Sequence, residues 1–149
     1  RLFGGTGGLD AGTIAEAQDL PGLFAQTPAI HRFPGSMATR VQELCRYLVE
    51  HYDGDCTRVW ADASTGADLL KRLEALPGFG TQKAQIFVAL LGKQRKVRPK
   101  GWREAAGVYG EAKVFRSVAH VPIPASLLNV RQHTTALKAP NTARETAKP

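Results

Sequence analysis

Cysteine is scarce in this chain, with Cys45 and Cys56 the only two among 149 residues. That excludes a disulfide framework and suits a reducing compartment. A structural zinc site is poorly served too. Cys45, His51 and Cys56 give three soft ligands without a fourth nearby, and Cys45 falls on an apolar stripe, where it reads as a small core residue. No apolar run reaches the length of a membrane span, and nothing resembles a signal peptide, so a soluble, cytoplasmic protein is expected. Asp is absent after Asp68, which restricts any acid chemistry in the second half. The first residue is Arg1 rather than Met, and Arg1-Leu2-Phe3 opens in mid-phrase, so an N-terminal piece of a longer protein is expected to be missing. No stretch alternates with a period of two, and the fold is expected to be all-α.

The charge is unevenly distributed. Residues 1–79 carry seven Lys/Arg against ten Asp/Glu, whereas residues 80–149 carry thirteen against three. A net charge of −3 thus gives way to one of +10, within the overall +7. Such a step points to a polyanion docking in the second half. The length fits one domain able to bury a proper core, assigned to residues 1–137. Residues 138–149, rich in Ala, Pro, Thr and Lys, read as a disordered basic tail.

Taken in order, Gly4, Gly5, Gly7 and Gly8 crowd a first turn. With no strand before them and no Lys-Ser/Thr after them, they read as a connection between helices rather than a nucleotide loop. Asp10 is placed to cap a short helix carrying Ile14, Ala15 and Ala17. Leu20-Pro21-Gly22-Leu23-Phe24 opens a second, ended by Thr27-Pro28. After His31-Arg32-Phe33-Pro34-Gly35-Ser36, with Ser36 as candidate cap, the clearest helix begins. Met37, Val41, Leu44, Cys45, Leu48, Val49 and Tyr52 share one face, and Asp53-Gly54-Asp55 closes it. Trp60 reads as a lid on the core. Ser64-Thr65-Gly66 caps a helix over 66–75. Weaker helical signal returns at Trp102–Ala106, and firmer signal at Ala125–Leu137.

The centre of the chain is Leu76-Pro77-Gly78-Phe79-Gly80-Thr81-Gln82-Lys83-Ala84. Leu69, Leu70 and Leu73 precede it on one side of a helix. Gln85-Ile86-Phe87-Val88-Ala89-Leu90-Leu91 follows, apolar almost all round. Two helices joined by a turn with two glycines make a helical hairpin over 69–91. The glycines admit positive φ and close approach by another molecule, and the second helix opens with outward-pointing amides that bind phosphate. Lys83 adds a full positive charge. Gly92 to Trp102 reads as a basic loop, with Arg95, Lys96, Arg98 and Lys100 as further contacts to nucleic acid.

The residues Leu-Pro-Gly-Phe-Gly-x-x-Lys-Ala resemble the helix-hairpin-helix (HhH-GPD) element of the base-excision DNA glycosylase superfamily. The order of helices from about Ile14 to Leu91 resembles endonuclease III and its relatives. With Val97-Arg98-Pro99-x-Gly101-Trp102, the pattern is similar to a branch of small actinobacterial-type HhH-GPD proteins of unproven activity. The resemblance implies a glycosylase-like helical domain and a monomer on double-stranded DNA, associated with the nucleoid. Gly78, Phe79, Gly80, Thr81, Gln82 and Lys83 would grip the backbone. It also implies a monovalent cation on the carbonyls of Glu74, Leu76 and Phe79. No iron–sulfur cluster is expected, because the four C-terminal cysteines that carry one in some members are missing.

The chain departs from the family at both chemical positions. The lysine that forms a Schiff base in strand-cutting members sits two residues after the second hairpin glycine, where this chain has Gln82, and an amide cannot do that chemistry. Lys83 is one position on, turned by about 100°. The Asp that would stabilise the sugar cation has no counterpart in Val97–Trp102. Glu104 is the nearest carboxylate and could substitute, but it reads more simply as a solvated residue on a helix face. A monofunctional glycosylase that recognises damaged bases, a non-catalytic DNA-binding module and a helical protein-interaction domain therefore remain as alternatives.

Overall fold

The computed structural model describes residues 10–112, 116–120, 127–133 and 135–136. The glycines at 4–8 and the tail at 138–149 lie outside them, as do both ends of the helix expected over Ala125–Leu137, whose described residues are helical. The described residues are helices and turns without a strand, and the fold is all-α. No described helix is long and apolar enough to cross a membrane. Seven α-helices carry names: α1 (Ala11–Glu16), α2 (Leu20–Ala25), α3 (Pro34–Tyr52), α4 (Arg58–Ala61), α5 (Gly66–Glu74), α6 (Thr81–Gln94) and α7 (Trp102–Ala105). Single 3-10 turns follow at Gly107–Tyr109 and Val118–His120. The contacts gather into two compact units, one of residues up to 63 with 72–79, the other of 64–71 with residues from 80 on.

In the first unit, α1 and α2 both pack on α3. Short helices need outside help, because their terminal carbonyls have no intrahelical donor. Here the help comes from α3. Gln42 Nε2 donates to the carbonyls of Ala15 at 3.3 Å and Ala17 at 2.7 Å, and Arg46 Nε donates to Ala15 at 3.3 Å. At the other end, Asp10 caps α1 by accepting from Thr13 N and Oγ1, each at 3.0 Å, which holds its carboxyl below the usual range. Asp19 caps α2 through Gly22 N. Ile14, Leu20, Phe24, Ala38, Cys45 and Leu48 form the core. Helix α3 begins earlier than Ser36: Pro34 takes the first helical position, where a missing N–H costs nothing, and Phe33 is the cap residue. The helix ends on Asp53 in a left-handed conformation, φ 53°.

The second unit is built on α6. Ala84, Val88, Ala89 and Leu91 are buried along it, with Leu69, Trp102, Ala106 and Ala119. The start of α5 is capped reciprocally: Thr65 Oγ1 accepts from Asp68 N and Asp68 accepts from Ser64 N, both at 3.1 Å. This is a variant of the capping box in which Asp68, the third helical residue, reaches the amide before the cap rather than that of Thr65. Helix α6 runs to Gln94, past the point where a loop was expected from Gly92. A glycine inside a helix is unfavourable by about 0.5–1 kcal/mol, but here it makes room. A Cβ on Gly92 would lie 2.3 Å from the ring of Trp102.

Two glycine substitutions should therefore act with opposite signs. Gly92→Ala is expected to destabilise by about 1–3 kcal/mol through overpacking. Gly35→Ala, in the first turn of α3 with nothing within 4 Å of its Cβ, should stabilise by up to about 1 kcal/mol. Urea midpoints of the two variants measure both.

Candidate nucleic-acid interface

The hairpin turn is a short piece of backbone hydrogen bonding. Within the first unit, Leu76 N donates to Leu73 O at 3.2 Å and Phe79 N donates to Leu76 O at 3.0 Å. Gly78 has φ 79°, a left-handed conformation costly for any residue with a Cβ. Leu76 and Leu73 are buried beneath it in the same unit. The Leu76 carbonyl keeps one lone pair beyond the bond it accepts.

In the second unit, Gly80 is the cap residue of α6 with φ −88° and ψ 169°, and it supplies no side-chain cap. Its backbone is extended and open to every residue type. Nothing lies within 4 Å of a Cβ built there. Neither conformation nor packing within the chain calls for glycine at this position. Thr81, Gln82 and Lys83 are exposed in the first turn, which contains no acidic residue. The helix thus places no carboxylate of its own at its positive end.

The far end of α6 is closed. Leu91 O accepts from Arg95 N at 3.0 Å and Val97 N at 3.1 Å, and Gly92 O accepts from Arg98 Nε at 2.8 Å. Arg98 thus caps the negative end of the helix. Lys96 turns the chain at φ 60°. Beyond it the loop is pinned by Gly66 N donating to Lys100 O at 2.8 Å and by an isolated parallel bridge between Thr65 and Lys100. The approach is close: a Cβ on Gly66 would lie 2.4 Å from Gly101 O. Arg95, Lys96, Arg98 and Lys100 are all exposed on this loop. Glu104 is exposed in the first turn of α7.

One face of α6 is polar, although the helix reads as apolar almost all round. Residues 82, 85, 89 and 93 fall on one side. Gln82 Nε2 donates to the hydroxyl of Tyr109 at 2.9 Å. A Cβ on Gly107 would lie 3.2 Å from Gln85 Nε2. Lys93 Nζ donates to the carbonyls of Tyr109 and Glu111, each at 2.6 Å, and touches Nε2 of His120. Residues 107–111 thus run along α6, tied at both ends of the stripe. Burial, then the charge of Arg103, pushes the Lys93 ammonium below its ordinary range. Lys93, at the start of the basic run, is turned inward rather than towards a ligand. Gln85, Tyr109 and His120 carry no motif; the spacing of Gln82, Gln85 and Lys93 is the signal that points to them.

Among the described residues no group of three or more His, Cys, Asp or Glu is placed to hold a metal ion. The chain matches no protein-family model, no curated protein and no solved structure.

Gly80→Ser supplies the missing side-chain cap. It is expected to raise stability by a few tenths of a kcal/mol, about the difference between Gly and Ser at this position. Thermal unfolding of the variant beside the parent checks it, and a lower Tm would show that Gly80 is required by the fold.

Proposed function

We propose that this chain is a DNA-binding protein of the base-excision repair type, its hairpin residues Gly78, Phe79, Gly80, Thr81, Gln82 and Lys83 gripping the phosphate backbone of duplex DNA. One observation carries the reading. Gly80 stands at the uncapped start of a 14-residue helix with no conformational or packing need for glycine within the chain. A glycine unexplained by the fold is explained by a ligand that must approach the backbone closely. Helix amides and dipole select an anion, and Lys83 adds a unit charge beside them.

The charge distribution supports the same partner. The +10 of residues 80–149 suits a polyanion, and Arg95, Lys96, Arg98 and Lys100 stand exposed on a pinned loop in the same unit. Phosphate contacts of this kind position a protein without reading sequence. A monovalent cation on the carbonyls of Glu74, Leu76 and Phe79 belongs to the proposal, and the remaining lone pair on Leu76 O is compatible with it. The protein acts as a cytoplasmic, nucleoid-associated monomer on double-stranded DNA, away from membranes.

Recognition of damaged bases in the manner of a monofunctional glycosylase is the fuller form of this reading. A lyase is not part of it, because Gln82 stands at the amine position and its amide is occupied by Tyr109. A second reading, a non-catalytic hairpin module, is favoured by the exposure of Glu104 and the lack of any Asp after Asp68. Single-turnover incubation with a panel of modified duplexes separates the two. Release of a base supports the glycosylase, and binding without release under conditions where a control enzyme acts supports the module.

The grip itself has a sharper test. Gly80→Asp puts a carboxylate where phosphate would sit while still capping the helix. Duplex affinity is expected to fall at least about tenfold, the loss of one charge-assisted hydrogen bond, with the Tm undiminished. Lys83→Ala should lower the slope of log K against log salt by about 1. Unchanged affinity in Gly80→Asp would remove the hairpin from the interface.

A further inference from the structure

The contact between Lys93 and His120 plays no part in the proposed grip, yet its chemistry is specific. An ammonium has three N–H donors and no acceptor. Lys93 Nζ meets three groups: the carbonyls of Tyr109 and Glu111 and Nε2 of His120. Two of these can only accept, so the third must accept as well. His120 is therefore neutral, with its proton on Nδ1 and its Nε2 lone pair turned to Lys93. The imidazole is buried, only 7% exposed. Its turn, Val118–His120, packs on α6, where Gln94 Nε2 also donates to Val118 O at 3.0 Å.

Protonating His120 removes the acceptor and sets two cations in contact. Glu111, whose carbonyl takes one bond and whose charge favours the ammonium, is the acidic group acting on Lys93; Arg103 on α7 opposes it. Tyr109 offers its carbonyl to Lys93 while its hydroxyl engages Gln82. Glu104, the carboxylate on α7, is exposed.

We propose that the Lys93–His120 contact is an acid-labile clasp, which holds residues 107–111 and the Val118–His120 turn on α6 near neutral pH and releases them when His120 takes a proton. The direction of the imidazole's shift agrees. Burial first, and the charge of Lys93 second, push it below its ordinary 6.5, against the carbonyls of Glu111 and Ser117. With the folded value lower, the unfolded chain binds the proton first. The contribution to stability is complete above about 6.5 and is lost as pH falls through the folded value. Because Tyr109 also meets Gln82, release at one end of the stripe frees the other. That consequence for DNA rests on the hairpin reading; the clasp does not.

Amide hydrogen exchange of the full chain tests the clasp without DNA. In the parent protein, protection of amides in 107–111 and 118–120 is expected to fall between pH 7.5 and 5.5, after correction for intrinsic exchange, by up to about tenfold, the most that one pH unit below 6.5 allows. His120→Gln keeps an acceptor for Lys93 and cannot titrate, so its protection should be the same at both values. Should that variant misfold, the C2 proton of His120 in the parent gives the answer directly: titration below 6.5 supports the clasp. Protection that persists at pH 5.5 in the parent, the same loss in a folded His120→Gln, or titration at or above 6.5 would overturn it. If DNA binding fails while the exchange result stands, the hairpin reading is wrong and the clasp is not.

Discussion

A helix must satisfy the backbone groups at both of its ends, and the two ends of α6 differ in the side chains that serve them. Its last turn is closed by Arg95, Val97 and Arg98 on the carbonyls of Leu91 and Gly92. Its first turn begins on a glycine without a side-chain cap and without a neutralising acid. The other features of the second unit follow this polarity. Gly92 admits the ring of Trp102, and the guanidinium of Arg103 lies over that ring, 4.6 Å from its centroid. The basic loop that caps the far end is pinned to the start of α5 through Thr65, Gly66 and Lys100. A helix fixed at its C-terminal end, and without a side-chain cap at the other, can offer its dipole to an anion without paying to reorganise.

The polar stripe of α6 obeys a second constraint. A half-buried ammonium is costly unless it is fully hydrogen-bonded. Lys93 meets that demand with two carbonyls and one imidazole, and this obliges His120 to stay neutral. The same three groups give the irregular stretch after α7 a place on α6. Ordering a loop costs conformational entropy, and here hydrogen bonds offset that cost together with the burial of Ala119, while Val108 and Val118 stay exposed. Charge-dependent bonds make this part of the chain responsive to pH in a way that the apolar core of α6 is not.

Much of the fold was legible because the signals were local. Asp10 before an apolar pair, Ser-Thr-Gly before α5, Asp53-Gly54 after α3, and Pro-Gly-x-Gly between two helices all act within a turn of themselves. Ser36 misled for the opposite reason: a good cap residue was outcompeted by Pro34, whose fixed φ starts the helix sooner. The end of α6 was hidden because glycine and charge read as a break. Only the distant Trp102 explains Gly92, and only Tyr109, Glu111 and His120 explain Lys93. Such partners lie outside any local window. Residues whose roles depend on the second half of the chain, Gln82 included, were therefore read from half of their contacts.

The central claim is that the open end of α6 holds phosphate. Backbone amide shifts of the full chain, followed as a short duplex is added at low salt, address it most directly. The account requires the largest and earliest changes at Gly80, Thr81, Gln82 and Lys83, with smaller ones on Arg95 to Lys100, all reversed by added salt. Saturable binding that leaves the amides of residues 80–83 unmoved would contradict it.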